Sequence, residues 1–306
     1  IIEDMLDASI ELNEKLLEKQ PADMKPEQVF SAIVPQEDED SVEINLPTLL
    51  LKKASEKGIT KMELSSDIFD IVLPMDALNE TQKSQGLKTS VKKADKSNLP
   101  DNLQGQIPDG SIIFDISEES GGKFDNPIEV GIAFEAKYND GEAVTVFLLN
   151  DDGAIQPVGG IYDPEAKKAI FLTTHFSKYF AKESTEDFAD TKGHWAKREI
   201  GILAGKGIIN GKANGIFEPD ANITRAEFVA LITRALGYGE EGQYTLPFTD
   251  VSQKDWYYKP IAIAYNKGLV NGKSEKEFDP KGNITRQEMA KIISNLLESK
   301  FKRQEK

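Results

Sequence analysis

The sequence contains no cysteine and only two histidines, His175 and His194. The first absence excludes disulfides, thiolate metal sites and a cysteine nucleophile. The second excludes a histidine-rich metal cluster, and neither a metal nor a cofactor is expected. Positive charge is scarce too: 37 lysines and arginines face 52 acidic residues, for a formal net charge of −15. That balance argues against nucleic acid or an anionic membrane surface as partner. A polyanionic ligand would need a local cluster of cations working against the field of the whole chain. No apolar run is long enough to span a bilayer, so no membrane insertion is expected. With no leader and no initiator methionine, the chain reads as a processed or trimmed piece of something longer. The lack of cysteine suits a protein exported from a Gram-positive bacterium.

What the sequence does contain is a long repeat. Ile223-Thr224-Arg225-Ala226-Glu227 returns sixty-one residues later as Ile284-Thr285-Arg286-Gln287-Glu288. At the same offset Gly207-Ile208-Ile209-Asn210-Gly211 answers to Gly268-Leu269-Val270-Asn271-Gly272, Phe217-Glu218-Pro219 to Phe278-Asp279-Pro280, and Trp195 to Trp256. Only the leading Phe-x-Asp, Phe188 and Asp190 against Phe248 and Asp250, is offset by sixty.

Thr224 with Glu227, and Thr285 with Glu288, have the spacing of a capping box ahead of an amphipathic helix. The apolar stripes are read as Phe228, Ile232, Ala235, Leu236 and as Met289, Ile292, Ile293, Leu296, Leu297. Arginine at the first helical position opposes the helix dipole and costs roughly 0.3–1 kcal/mol. Its recurrence suggests either an exposed anion site or a surface ion pair. Trp195, Ile200 and Leu203 mark a first helix ending at Gly207; Trp256, Ile261 and Tyr265 mark one ending at Gly268. Asn210-Gly211 and Asn271-Gly272 read as tight turns needing positive φ, and Phe-x-Pro as a short extended piece. A helix–loop–helix unit of about 50 residues is too small to bury a core alone, so the copies must pack on each other.

This pattern resembles the S-layer homology (SLH) family over residues 188–237 and 248–299. The resemblance implies non-covalent docking of a bacterial surface protein to pyruvylated secondary cell-wall polysaccharide, outside the cell in the wall or S-layer. It implies that Arg225 and Arg286 contact the anionic pyruvyl group, with Trp195 and Trp256 in the groove wall. Gly211 and Gly272 would lie where backbone approaches sugar, and Asp190 and Asp250 carry the opening acid. The residues alone leave each tryptophan open as groove wall or core. SLH units usually come in threes; two are found here, so self-association completing a three-repeat prism is a further expectation.

The remainder reads as α+β: a helix over residues 1–20, a turn near Pro26–Phe30 and an acidic linker, then an antiparallel β-sandwich with short helices over 41–184. Strand positions are Val42, Ile44, Leu46; Ile68, Ile71, Leu73; Ile112, Phe114, Ile116; Val130, Ile132, Phe134; Val144, Val146, Leu148; and Ile170, Leu172. Short helices are expected at 48–57 and 75–81, and a loop within 82–106. Asn150-Asp151-Asp152-Gly153 reads as a turn rather than a calcium loop. The domains are then 1–40, a sandwich spacer 41–184, and SLH repeats 185–243 and 244–306.

One stretch could carry chemistry. Thr174-His175-Phe176-Ser177 lies in a region that distantly resembles the end of GAIN and ankyrin-type autoproteolytic sandwiches, where histidine as base and serine as nucleophile cut the preceding bond, here Phe176–Ser177. The structural alternative is a final strand with Phe176 and Tyr179 inward; one band against two on a denaturing gel separates them. The expected function is non-enzymatic cell-surface anchoring. The rivals are a lattice subunit making protein–protein contacts and a self-cleaving sandwich.

Overall fold

The computed structural model describes residues 28–302 apart from 37, 120–121, 138–140, 151, 214 and 239–243. The helix expected over residues 1–20 lies outside them. The chain forms two compact units: one runs to Glu186 and takes in Arg198–Gly207, the other comprises Asp187–Lys197 and everything from Ile208.

The first unit is built on two six-stranded sheets. One carries, in order, β1 (Val29–Ile33), β3 (Lys61–Ser65), β4 (Phe69–Pro74), β7 (Ile128–Ala133), β11 (Lys168–Thr173) and β10 (Ile161–Asp163). The other carries β2 (Ser41–Leu46), β5 (Leu87–Asp95), β6 (Ile112–Glu118), β12 (Lys178–Glu183), β8 (Val144–Leu149) and β9 (Ile155–Gly159). Their facing sides share one apolar core, which takes Ile44, Val91 and Phe114 from one sheet and Met62, Ile71, Val130 and Phe171 from the other. Each such side chain contributes roughly 1.5–3 kcal/mol by leaving water. In β2 the alternation is regular, with Val42, Ile44 and Leu46 buried and Glu43 and Asn45 exposed. The short helices expected after each Leu-Pro are present: α1 (Thr48–Glu56), and a 3-10 turn at Met75–Ala77 leading to α2 (Glu80–Gln85). A third short helix, α3, spans Asp101–Gln104.

Four expectations fail here. The sandwich is not wholly antiparallel, because β1 pairs with β3 in parallel, Phe30 opposite Met62. The segment read as a turn near Phe30 is that strand, and its Phe30 enters the core. The loop expected within 82–106 holds β5, bonded to β2 and β6. Its inward Leu87, Thr89 and Val91 alternate with outward residues that include Lys88 and Lys92, whose polarity hid the pattern. In β11 the buried face is Ala169, Phe171 and Thr173, one residue out of phase with Ile170 and Leu172; where both faces of a strand carry bulk, periodicity cannot choose.

The helix α4 (Lys197–Gly205) is the first helix of repeat one, yet from Arg198 onward it groups with the sandwich. Two glycines one turn apart make this contact. Glu186 N–H donates to the Gly201 carbonyl at 2.9 Å. A Cβ on Gly205 would overlap the Ser184 carbonyl and stand 2.9 Å from Thr185 Cα. Lys206, only 8% exposed, donates from Nζ to the Val144 carbonyl at 2.6 Å and to that of Gly160. Burial pushes this ammonium's pKa down, and Glu142 partly offsets that.

The second unit holds α5 (Arg225–Ala235), α6 (Tyr258–Asn266) and α7 (Arg286–Lys302). As expected, the copies pack on each other. Ala226 and Val229 of α5 share a core with Tyr257, Ile261 and Ala264 around α6 and with Phe278 and Ile292. The buried side of α5 is Ala226, Val229, Ala230 and Thr233, while Phe228, Ile232 and Leu236 are only partly buried and Ala235 is exposed.

Candidate functional site

Both capping boxes form. Glu227 N–H donates to Thr224 Oγ1 at 3.2 Å while Thr224 N–H donates to the Glu227 carboxylate at 2.8 Å. Glu288 and Thr285 repeat these two bonds at 3.2 and 2.9 Å respectively. Gly207 and Gly268, both at φ 70, end their helices as expected.

The turns between differ from expectation in a way that assigns roles. Gly211 and Gly272 are not among the positive-φ glycines; space is what selects them. A Cβ on Gly211 would stand 2.6 Å from the Ile216 carbonyl and 2.8 Å from the Phe188 ring, and one on Gly272 2.7 Å from the Glu277 carbonyl. Phe-x-Pro is not extended: Glu218 and Asp279 sit at φ 61 and 60, a strained region for such residues. Asp190 holds the first in place, accepting from Phe217 N–H at 3.0 Å and Glu218 N–H at 2.7 Å; Asp250 accepts from Phe278 and Asp279 at the same distances.

These two N–H groups hold the Asp190 carboxyl below the usual carboxylate range. Thr285 N–H does the same for Glu288, aided by Arg225 and Lys273, and Lys273 does so for Asp279. Each lowered pKa means the folded state binds the proton less well than the unfolded chain, so the stabilisation is present above about pH 4 and is lost as pH falls through the folded values. Both tryptophans of the chain, Trp195 and Trp256, lie in this unit, so their fluorescence reports it. The urea midpoint by that signal should fall between about pH 6 and about pH 3, and less steeply in Asp190→Asn. An unchanged slope would remove Asp190 from this account.

The two arginines occupy opposite situations. Arg286 is exposed, with no hydrogen-bond or ion-pair partner among the described residues. Arg225, expected to be exposed as well, is only 6% exposed. It reaches from repeat one into repeat two, donating from Nη2 to the Asn271 carbonyl at 2.7 Å, pairing with Glu288 at 3.4 Å and lying 4.7 Å from the Phe278 ring centroid. Its backbone N–H donates to the Gly282 carbonyl and that of Ala226 to the Pro280 carbonyl. Arg225 is therefore part of the packing between repeats. The sequence motif shows two identical arginines and does not show which of them is buried here.

Both tryptophans are at the surface, Trp195 88% and Trp256 59% exposed, which removes the core alternative. Trp256 lines a groove of about 530 Å3 over repeat one. Its other walls include Asn210-Gly211, Lys212, Phe217 and Arg234. Lys212 pairs with Glu227, while Arg234 makes one long contact, 3.5 Å to the Ile208 carbonyl. The groove thus holds a flat aromatic face, Arg234, the Lys212–Glu227 ion pair and Glu218. Neither cation stood out in the sequence: Lys212 recurs as Lys273, but Arg234 answers to Asn295, which donates to the equivalent Leu269 carbonyl. The Trp195 ring lies tilted beside His194, with ring centroids 5.5 Å apart, and His194 Nδ1 accepts from Ala196 N–H just before α4.

At the other candidate, the corner between β11 and β12, Thr173 and Tyr179 hydroxyls both donate to the His175 carbonyl at 2.8 Å. His175 Nδ1 lies 3.2 Å from the Phe176 carbonyl oxygen, and Phe176 packs edge-on against Phe124. Burial pushes the imidazole's pKa down, against the hydrogen bond to the Phe176 carbonyl. Phe176 and Tyr179 are inward, as in the structural alternative.

With this geometry in hand, the class is clear: the chain carries two S-layer homology domains, the family profile matching residues 187–229 and 247–290. A stretch of 259 residues, 84% of the chain, is 34% identical to an amylopullulanase of Thermoanaerobacterium thermosulfurigenes. The chain is also 39% identical over 112 residues to the surface-layer 125 kDa protein of Lysinibacillus sphaericus, and 48% identical over 73 to a cellulosome-anchoring protein of Acetivibrio thermocellus. It spans 13%, 9% and 16% of these proteins respectively. The chain is a cell-surface segment located outside the cell, in the wall or S-layer.

Proposed function

We propose that the chain anchors a surface protein non-covalently to an anionic, pyruvylated secondary cell-wall polysaccharide, without chemistry of its own. The observation that carries this is the groove in which the exposed Trp256 face stands beside Arg234 and Lys212. A sugar ring stacks its C–H face on indole, and a guanidinium binds a carboxylate bidentately. Lys212 is paired with Glu227 and Glu218 also lines the groove, so the cation placed to meet an anion there, against the chain's net charge of −15, is Arg234. In this reading Trp195 and Arg286 are further exposed contacts, Asp190, Asp250, Gly211 and Gly272 shape the loops that meet the glycan, and Arg225 holds the repeats in register. The region before residue 185 serves as spacer, and 185–243 and 244–306 as the binding repeats. The surface-layer and cellulosome-anchoring relatives support it.

Co-sedimentation with purified wall sacculi tests this. Binding should disappear when pyruvate ketals are removed chemically, and should weaken about tenfold or more in Trp256→Ala and in Arg234→Ala. Binding that survives depyruvylation would move the ligand to another wall component; full binding by both variants would move the site.

A further inference from the structure

Glu218 holds a conformation that its side chain opposes. Its φ is 61, where an L side chain crowds its own backbone and only glycine is at ease. The conformation is imposed from elsewhere in the repeat: Asp190 accepts from the N–H groups of Phe217 and Glu218 at 3.0 and 2.7 Å. A glycine would donate the same backbone bond without the strain, so the turn itself does not call for a glutamate.

Repeat two shows what an acid in this place can do for the fold. Asp279, at φ 60, pairs with Lys273 at 2.7 Å. The matching lysine of repeat one, Lys212, is taken by Glu227 instead. Glu218 is left exposed, and its carboxylate has no hydrogen-bond or ion-pair partner among the described residues. This difference arises inside each repeat, from which acid the repeat's own lysine pairs with. Yet Glu218 lines the groove, with Trp256 and Arg234 in the same lining. A lone carboxylate there repels an incoming anion. Toward hydrogen-bond donors it is an asset, because its two oxygens accept only, and bonds to a charged acceptor are stronger than neutral ones. The hydroxyls of a sugar ring are such donors.

We infer that Glu218 is a specificity-determining contact of the groove, its carboxylate accepting from sugar hydroxyls while Arg234 takes the ketal carboxylate. The inference rests on the glycan-anchoring reading and deepens it. The groove then reads a hydroxylated ring carrying one anionic substituent rather than a run of negative charge. The left-handed backbone at Glu218 is strain held for binding, not for the fold.

Co-sedimentation with sacculi and tryptophan-monitored urea unfolding of Glu218→Gly and Glu218→Gln test it together. Glu218→Gly should hold or raise the urea midpoint, since no side chain is crowded any longer, and yet bind about tenfold or more weakly. Glu218→Gln keeps the length and one acceptor oxygen but loses the charge, and should bind about threefold or more weakly. Simple repulsion of the polyanion has the opposite sign, with both variants binding more tightly than the wild type. Tighter or unchanged binding by both, in a wild type that binds and loses binding on depyruvylation, would overturn the inference and leave the anchoring reading standing. A lowered midpoint in Glu218→Gly would assign the side chain to the fold and overturn it as well. A wild type that does not bind sacculi removes the reading and the inference together. Wild-type binding that survives depyruvylation removes the pyruvyl assignment alone, and the two variants still decide the hydroxyl contact.

Discussion

Replacing Arg225 by alanine should lower the stability of the second unit by about 2–4 kcal/mol, while the same change at Arg286 should stay within about 0.5 kcal/mol. The motif is the same in both places; the difference is burial. Removing Arg225 leaves the Asn271 carbonyl without its donor at 2.7 Å and takes from Glu288 a cation at 3.4 Å. It also opens a gap over the Phe278 ring, which is wholly buried. A buried acceptor stripped of its donor costs about 1–3 kcal/mol by itself. Glu288 is about a quarter exposed and retains Lys273, which keeps the total below the penalty of a fully enclosed pair. Arg225→Lys should recover only part of the loss, because an ammonium cannot span the carbonyl and the carboxylate as the planar fork does. Tryptophan fluorescence through a urea titration measures all three. Equal, small effects at Arg225 and Arg286 would mean that the packing between repeats does not rest on this side chain. For glycan binding the consequence is that weak binding by Arg225→Ala has to be separated from lost structure before it is counted as a lost contact.

The second large effect is expected in the other unit. Gly205→Val should destabilise the sandwich by about 3 kcal/mol or more, because its branched carbons have to enter space held by backbone. A Cβ there would stand 2.7 Å from the Ser184 carbonyl carbon and 2.9 Å from Thr185 Cα, and main chain cannot swing aside as a long side chain can. Lys206 beside it is already fixed by two carbonyls, so the helix end has little freedom to retreat. Gly105 is the control: its φ is −69 and open space surrounds it, so Gly105→Ala should change stability by less than about 0.5 kcal/mol. Circular dichroism of the sheet signal through thermal unfolding reads both. If Gly205→Val unfolds with the wild type, α4 is not held by this contact and belongs with the repeats alone.

That contact was present in the sequence as a difference between the copies. Gly201 and Gly205 answer to Ala262 and Asn266 at the common offset. Repeats draw attention to what is shared, and here the unshared pair marks where repeat one serves the sandwich. The same holds for Arg234 against Asn295. In the sandwich, β2 and β8 could be found from their apolar residues, whereas β5 was masked by lysines and β1 lay in a stretch too short and too close to proline to separate from a turn.

The sequence by itself determined the repeat, its offset, both capping boxes and the helix-ending glycines, because these are local chemistry: a hydroxyl three residues from a carboxylate, and a backbone that turns left-handed. It also determined the extracellular class, through motifs whose spacing is specific. Only the tertiary structure decided what those residues do. Asp190 and Asp250 stabilise a strained turn twenty-seven or more residues away. Trp195 and Trp256 face solvent, and of two arginines in the same motif one is buried between repeats and the other is exposed. The physical reason is that burial and partner choice depend on which surface arrives from elsewhere in the chain, and the residues the two motifs share, Ile, Thr, Arg and Glu, are the same in the buried copy and the exposed one.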